Sequence, residues 1–314
     1  MYIGLSAGLC WALETVVLSL ALASLPVFTS ASALFILPLA ATFLHDAFSS
    51  LFMFFINLIK YKGNFKKFMP LIKSKSFKWL VIASVIGGPV GMTGYVLAVN
   101  FMGSSVGAVA SAVYPAIGTL LAFIFLKEKV NLLRWVFLIL TLVGVFGLSF
   151  SPDISVNNIF LGLLGAFMSA FGWGIEAVIL AKCFKDDSTK EEQVLLIRQT
   201  SSALTYGIII LPLIGGYNFT FSLFTIENSK FFILLSLAAV FASVSYLFYY
   251  KAIGKLGASK AMALNITYTA WAVFFTVIFT CDLSILNPLS ILCALTVVVC
   301  GILSATEINL KIKK

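Results

Sequence analysis

Ten long apolar runs follow one another along this chain of 314 residues, and no other feature narrows its fold so far. They fall roughly at 3–22, 31–58, 77–101, 104–126, 132–150, 158–181, 192–215, 230–250, 257–281 and 288–308. About 20 apolar residues in a helix cover the hydrocarbon layer of a bilayer. Inside that layer every backbone N–H and C=O must be satisfied by the protein, and a helix does so within its own turns. The expected fold class is an all-α polytopic membrane protein with ten transmembrane helices and no separate soluble domain. Composition agrees: 61% of residues are hydrophobic and 11% charged, against about a quarter charged in a soluble domain. The first run lacks a basic leader and a small-residue cleavage site, so it reads as a retained helix.

The net charge of +9 could point to nucleic acid, but its distribution points to topology. Lys60, Lys62, Lys66, Lys67, Lys73, Lys75 and Lys78 follow the second run. Lys127, Lys129 and Arg134 follow the fourth, and Lys182, Lys185, Lys190 and Arg198 the sixth. Lys251, Lys255 and Lys260 follow the eighth, and Lys311, Lys313 and Lys314 end the chain. With alternating spans, all of these fall on one side and only Lys230 on the other. The side rich in Lys and Arg is the cytoplasmic one, which places both termini in the cytoplasm and every Lys and Arg at a span end or in a loop. The partners are a lipid bilayer and a small solute, with no nucleic acid.

Ten spans divide into two sets of five, and the odd number makes the second set enter from the opposite side. Residues 1–150 form the first set, 151–157 an outer linker, and 158–308 the second set. Three matches recur in the same order. WALETVVL (11–18) parallels WGIEAVIL (173–180), GYVLAVNFMG (94–103) parallels SYLFYYKAIG (245–254), and VYPAIGTLLAFIF (113–125) parallels TYTAWAVFFTVIF (267–279). Inverted-topology repeats of this kind are a frequent plan of secondary transporters, with the substrate site near the midplane between the halves.

The first match carries an acid into each half, Glu14 and Glu176. A charged carboxylate at mid-helix costs roughly 2.5–3.5 kcal/mol on insertion scales, so such residues face the bundle interior or a cavity and mark substrate or proton pathways. With all basic residues placed at span ends, the expected counter-charge is a proton or an arriving cation. The plainer reading is a protonated, hydrogen-bonded structural role. Trp11 and Trp173 stand at i, i+3 from these acids, on the same helical faces. An indole face beside a carboxylate suits a quaternary ammonium, which needs attraction without hydrogen bonds. Interfacial belting is the alternative for a tryptophan, and it describes Trp79 and Trp135.

Span 9 adds Tyr268 and Trp271, and span 8 adds Tyr246, Tyr249 and Tyr250, although an aromatic stripe equally serves packing. Tyr95 and Tyr114 are second-rank candidates. His45-Asp46, in the second run, is either a proton relay or a hydrogen-bonded tie to a neighbouring span. GGP at 87–89 and Pro115 mark expected breaks in spans 3 and 4. The cysteines Cys10, Cys183, Cys281, Cys293 and Cys300 form no C-x-x-C pair and read as small apolar packing residues. No H-E-x-x-H occurs, and there is a single histidine, so an intramembrane enzyme is a remote alternative, and neither a cofactor nor a metal is implied.

The chain also resembles a known group. FLKEK (125–129) at the end of span 4, the five-plus-five spans and the short outer loops are similar to the drug/metabolite transporter (DMT) superfamily of EamA type. GGPVGM (87–92), GSSVGAVASAVYPAIGTLLAFIFLK (103–127), LLIRQ (195–199), SYLFYY (245–250) and LNITYTAW (264–271) look like the LicB-type choline permeases of bacteria. That resemblance implies a multi-pass protein of the bacterial cytoplasmic membrane that moves choline or a related organic cation in a proton-coupled cycle. It strengthens Tyr246, Tyr268 and Trp271 as parts of an aromatic cage with Trp11 and Trp173. In that scheme Glu176 neutralises the cation, and Glu14 with His45-Asp46 handles the proton or a second substrate charge. Those permeases tend to have a small neutral residue where this chain has Glu14, a departure that favours a substrate with a second cationic or donor group. Proton-antiport export of cationic drugs or amino-acid-like metabolites is the alternative direction.

Overall fold

The computed structural model describes residues 1–149 and 158–307, so the expected linker at 151–157 lies outside the described residues. Ten helices among the described residues are long and apolar enough to cross a membrane. They are span 1 (Tyr2–Ala23), span 2 (Ala31–Lys60), span 3 (Ser76–Gly103), span 4 (Val109–Leu126) and span 5 (Leu132–Ser149). Span 6 (Ile159–Cys183), span 7 (Glu191–Leu213), span 8 (Ile226–Leu256), span 9 (Ala258–Thr280) and span 10 (Pro288–Ala305) complete the set. No strand occurs among the described residues.

Span 1 packs along span 8, and span 6 along span 3. Span 2 lies against span 7, and span 5 against span 10. Spans 4 and 9 reach the same centre, span 4 against span 6 and span 9 against span 1. Small residues set the closest approaches. A Cβ on Gly94 would stand 2.6 Å from the Gly165 carbonyl oxygen, and one on Gly165 would stand 2.5 Å from the Gly94 oxygen. Spans 5 and 10 turn Ile139, Val143, Phe146, Leu292, Leu295 and Val299 outward, as a lipid-facing rim requires.

Four helices are irregular, and the irregularities come in pairs. Span 3 passes through a π-turn at Ile86–Val90 and span 7 through one at Tyr206–Ile210. The GGP sequence therefore widens span 3 by one wide turn where a break was expected. The π-turn takes up Pro89, which lacks an N–H, without ending the helix. Span 4 is interrupted at 112–113 before Tyr114, and span 9 at 266–267 before Tyr268. Pro115 sits in the first turn after the interruption, where its missing N–H costs nothing. Gly103 (φ 79°) and Gly257 (φ 89°) turn the chain into these two spans with no loop, a left-handed conformation that favours glycine. Lys127 and Cys281 end them in the same left-handed region, at φ 56° and 55°. These breaks match Gly103 with Gly257, where the sequence comparison had paired it with Gly254.

The end carrying the lysine-rich connections is tied by polar contacts. Glu128, from FLKEK, accepts the backbone N–H groups of Ala258 (2.8 Å) and Ser259 (3.2 Å) at the start of span 9. A carboxylate there satisfies orphan donors and faces the positive end of the helix dipole. Arg134 donates to the Ser304 carbonyl at 2.6 Å and the Ser259 hydroxyl at 3.1 Å. Lys60 pairs with Glu192 at 2.8 Å, and Tyr61 donates to the same carboxylate.

Candidate functional site

Spans 1, 2, 6 and 7 bring five charged or titratable side chains into one buried line: Glu14, His45, Asp46, Arg198 and Glu176. None is more than 9% exposed, so every charge must be answered by a neighbour. Glu14 Oε1 lies 3.7 Å from His45 Nε2, and His45 Nδ1 lies 3.2 Å from Asp46 Oδ1. Asp46 Oδ2 stands 3.6 Å from Arg198 Nη1, and Arg198 Nε stands 3.4 Å from Glu176 Oε1.

Arg198 overturns the expectation that all cations sit at span ends. It lies near the start of span 7, which made it look like one more topology marker, yet it is 4% exposed. Its long side chain runs inward to the two acids, the reverse of the usual excursion toward headgroups. The reading that Asp46 and Glu176 have no basic partner is corrected with it. Around the guanidinium, Nη1 donates to Gln199 Oε1 at 2.6 Å and Nη2 to the Tyr246 hydroxyl at 3.1 Å. The Tyr246 ring also faces it, 4.7 Å from ring centroid to Cζ. Gln199 in turn donates to Ser49 Oγ at 2.7 Å, and Ser49 bonds Ser243 at 2.6 Å, so spans 2, 7 and 8 are joined behind the arginine.

Glu176 and Asp46 are closely held. Tyr250 donates to Glu176 Oε1 at 3.3 Å, and Ser202 donates to Asp46 Oδ2 at 2.5 Å. The π-turn of span 3 makes room for both. A Cβ on Gly87 would fall 1.8 Å from Glu176 Oε2, and one on Gly88 would fall 2.7 Å from Ser202 Oγ. Glu14 is held loosely by comparison. Its Oε2 accepts from the Thr15 hydroxyl at 3.3 Å, but that hydroxyl also donates to the Trp11 carbonyl at 2.9 Å. His45 Nε2, which points toward Glu14, is buried with no hydrogen-bond partner among the described residues.

Two aromatic groups flank this line. Trp11 stacks on Tyr268 (centroids 5.1 Å, 16° between planes) and tilts against Tyr246 at 5.8 Å. Tyr246 meets Tyr250 edge-on at 5.7 Å. Trp173 lies edge-on to Tyr114 at 5.5 Å and beside Tyr95 at 6.0 Å, and Asn265 donates to the Tyr114 hydroxyl at 3.2 Å. Tyr114 of one group and Tyr268 of the other open the helices that follow the interruptions of spans 4 and 9. Trp271, one turn beyond Tyr268, buries its indole N–H without a partner among the described residues. The parallel stack of Trp11 on Tyr268 leaves no space between those two rings, so any cation there meets ring edges or outer faces.

Sequence reasoning missed Arg198, Gln199, Ser202 and Ser49 as members of the site. Their spacing carried a signal. Asp46, Ser49, Met53 and Asn57 fall on one face of span 2, and Arg198 and Ser202 lie one turn apart on span 7. Polar residues repeating at helical spacing inside an apolar run mark a buried seam.

Residues 1–150 match the EamA-like transporter family, a stretch that ends with span 5. Protein LicB of Haemophilus influenzae (strain ATCC 51907 / DSM 11121 / KW20 / Rd) is 28% identical over 194 residues, which cover 61% of this chain and 63% of LicB. A solved crystal structure that is 15% identical superposes over 97% of this chain and 95% of its own, with a TM-score of 0.69, a likeness of fold. Over residues 1–150 the chain is thus similar to EamA-like transporters, and it spans under two thirds of the length of LicB.

Proposed function

We propose that this transporter is a permease for a small organic cation, choline or a close relative, working by alternating access with proton coupling. The observation that carries the reading is a charge deficit. Glu14, Asp46 and Glu176 are three buried acids against one arginine. With all three ionised, the line is short of two positive charges when His45 is neutral and of one when it is protonated. A monovalent cargo and a proton fill that deficit, and the surrounding rings supply faces for a cation that makes few hydrogen bonds. Choline as the particular cargo rests on the motif resemblance drawn from the sequence.

Residues 1–150 and 158–308 are read as inverted halves that rock about the site, with both termini in the cytoplasm of a bacterium. Exchanging each span with the one five places later leaves the principal packing pairs (1 with 8, 3 with 6, 2 with 7, 5 with 10) unchanged, which supports that reading. So does the backbone, because one offset of 154 residues separates Gly103 from Gly257 and Lys127 from Cys281. Both halves contribute acids to the line, Glu14 and Asp46 from the first and Glu176 from the second.

Within this reading the roles are assigned differently from the expectation drawn from sequence: Glu176 has Arg198 beside it, so Glu14 is the acid the cargo would meet. Inward-negative potential favours uptake of one monovalent cation by about 2.3 kcal/mol per 100 mV, so accumulation needs only modest coupling. The test uses purified full-length protein in proteoliposomes with labelled choline. Accumulation driven by an inward proton gradient, with co-entry of protons, supports the permease. Outward movement of choline against entering protons identifies an antiport exporter using the same acids. Absence of any cation flux in either direction refutes both.

A further inference from the structure

Arg198 is gripped on every side, and the two acids beside it are otherwise occupied. Its Nε faces Glu176, its Nη1 faces Gln199 and Asp46, and its Nη2 faces Tyr246, whose ring also covers it. Guanidinium keeps its proton under all physiological conditions and binds carboxylates through a planar fork, so this cation is permanent. Asp46 is further held by His45 and Ser202, and Glu176 by Tyr250. Among the described residues Glu14 has no arginine or lysine within ion-pair distance, and its histidine neighbour stands 3.7 Å away.

We propose that Arg198 is a resident counter-ion that fixes the valence of the cargo: by occupying Asp46 and Glu176 it leaves Glu14 as the one acid open to a cation, and so confines the site to monovalent cargo. This rests on the cation-permease reading and deepens it. The departure noted at Glu14 had favoured a second positive group on the substrate. Arg198 already stands where the second positive charge of a dication would have to go. A dication would place that charge against the guanidinium, since both remaining acids lie within 3.6 Å of it. Arg198 is thus a positioning and specificity-determining residue that acts through the two carboxylates.

The experiment compares choline with 1,4-diaminobutane, a dication at neutral pH, binding to full-length protein in nanodiscs. The readout is the ratio of the two affinities, which a purely structural arginine would not move. Wild type is expected to favour choline. Arg198→Gln is expected to shift the ratio at least tenfold toward the diamine. Arg198→Gln combined with Asp46→Asn and Glu176→Gln, which removes both carboxylates the arginine held and again leaves Glu14 as the open acid, is expected to return the ratio to within about threefold of wild type. An unchanged ratio in Arg198→Gln, or a triple variant as shifted as the single, overturns the proposal. Should Arg198→Gln fail to fold, Arg198→Lys keeps the charge and is expected to keep the ratio; a tenfold shift there overturns the proposal equally. If wild type binds neither cation, the permease reading fails by itself. The counter-ion is then read from thermal unfolding, where the triple neutralisation is expected to be more stable than Arg198→Gln alone. A triple variant less stable than Arg198→Gln overturns the counter-ion too.

Discussion

Glu14 and Glu176 occupy matching stretches of sequence, WALE and WGIE, yet their surroundings differ in kind. Glu176 faces an arginine, accepts from a tyrosine and sits in a recess that only glycine can form. Glu14 has a histidine at 3.7 Å and a shared threonine hydroxyl. A carboxylate with its own counter-ion is a structural part, since removing one partner of a buried pair leaves the other uncompensated. A carboxylate without one is available to a mobile charge. The lesson is that a repeated motif marks equivalent places in the fold, while the neighbours brought by other spans set what each copy does.

The comparison can be broken most directly at Glu14. Glu14→Gln is expected to weaken choline binding at least a hundredfold, about 2.7 kcal/mol, read by titration in nanodiscs. A loss below tenfold would mean that Glu14 is not the open acid. Next in size is Gly87→Ala, whose new Cβ would fall 1.8 Å from Glu176 Oε2. Overpacking of this kind costs about 1–3 kcal/mol, visible as a lower unfolding midpoint in detergent; an unchanged midpoint would show the recess to be loose. Glu176→Gln should weaken choline by about tenfold, roughly 1.4 kcal/mol, because it leaves Arg198 with Asp46 alone. If that variant falls further than Glu14→Gln, the two acids have exchanged roles. Smallest is Tyr250→Phe, which deletes one hydrogen bond to Glu176 and should cost about 1 kcal/mol or less in thermal stability, with choline affinity moving no more than a few-fold.

Much of the candidate site was legible because its residue types are expensive in an apolar run. Glu14, His45, Asp46 and Glu176 stood out for that reason, and the structure places all four in one line. The tryptophans and tyrosines were legible as residues but not as pairs. That Trp11 stacks on Tyr268 while Trp173 meets Tyr114 depends on how spans 1, 6, 4 and 9 cross. Arg198 was misread because a basic residue near a span end fits topology equally well, and only its side-chain direction tells the two apart. The π-turn through GGPVG was foreseen as a break because proline chemistry says that the ladder is disturbed, without saying how it is repaired.

The sequence by itself determined that ten helices cross a membrane, because run length and the insolubility of backbone groups in hydrocarbon leave no other solution. It also determined which acids must lie inside the bundle, since none could face lipid. Only the tertiary structure decided which acid keeps a counter-ion. Span 7 lies against span 2, and the span 3 π-turn opens a recess for Glu176, so one arginine reaches two carboxylates and not the third. The physical reason is range: burial is a property of one helix, whereas an ion pair needs two side chains within about 4 Å, and that distance is set between helices.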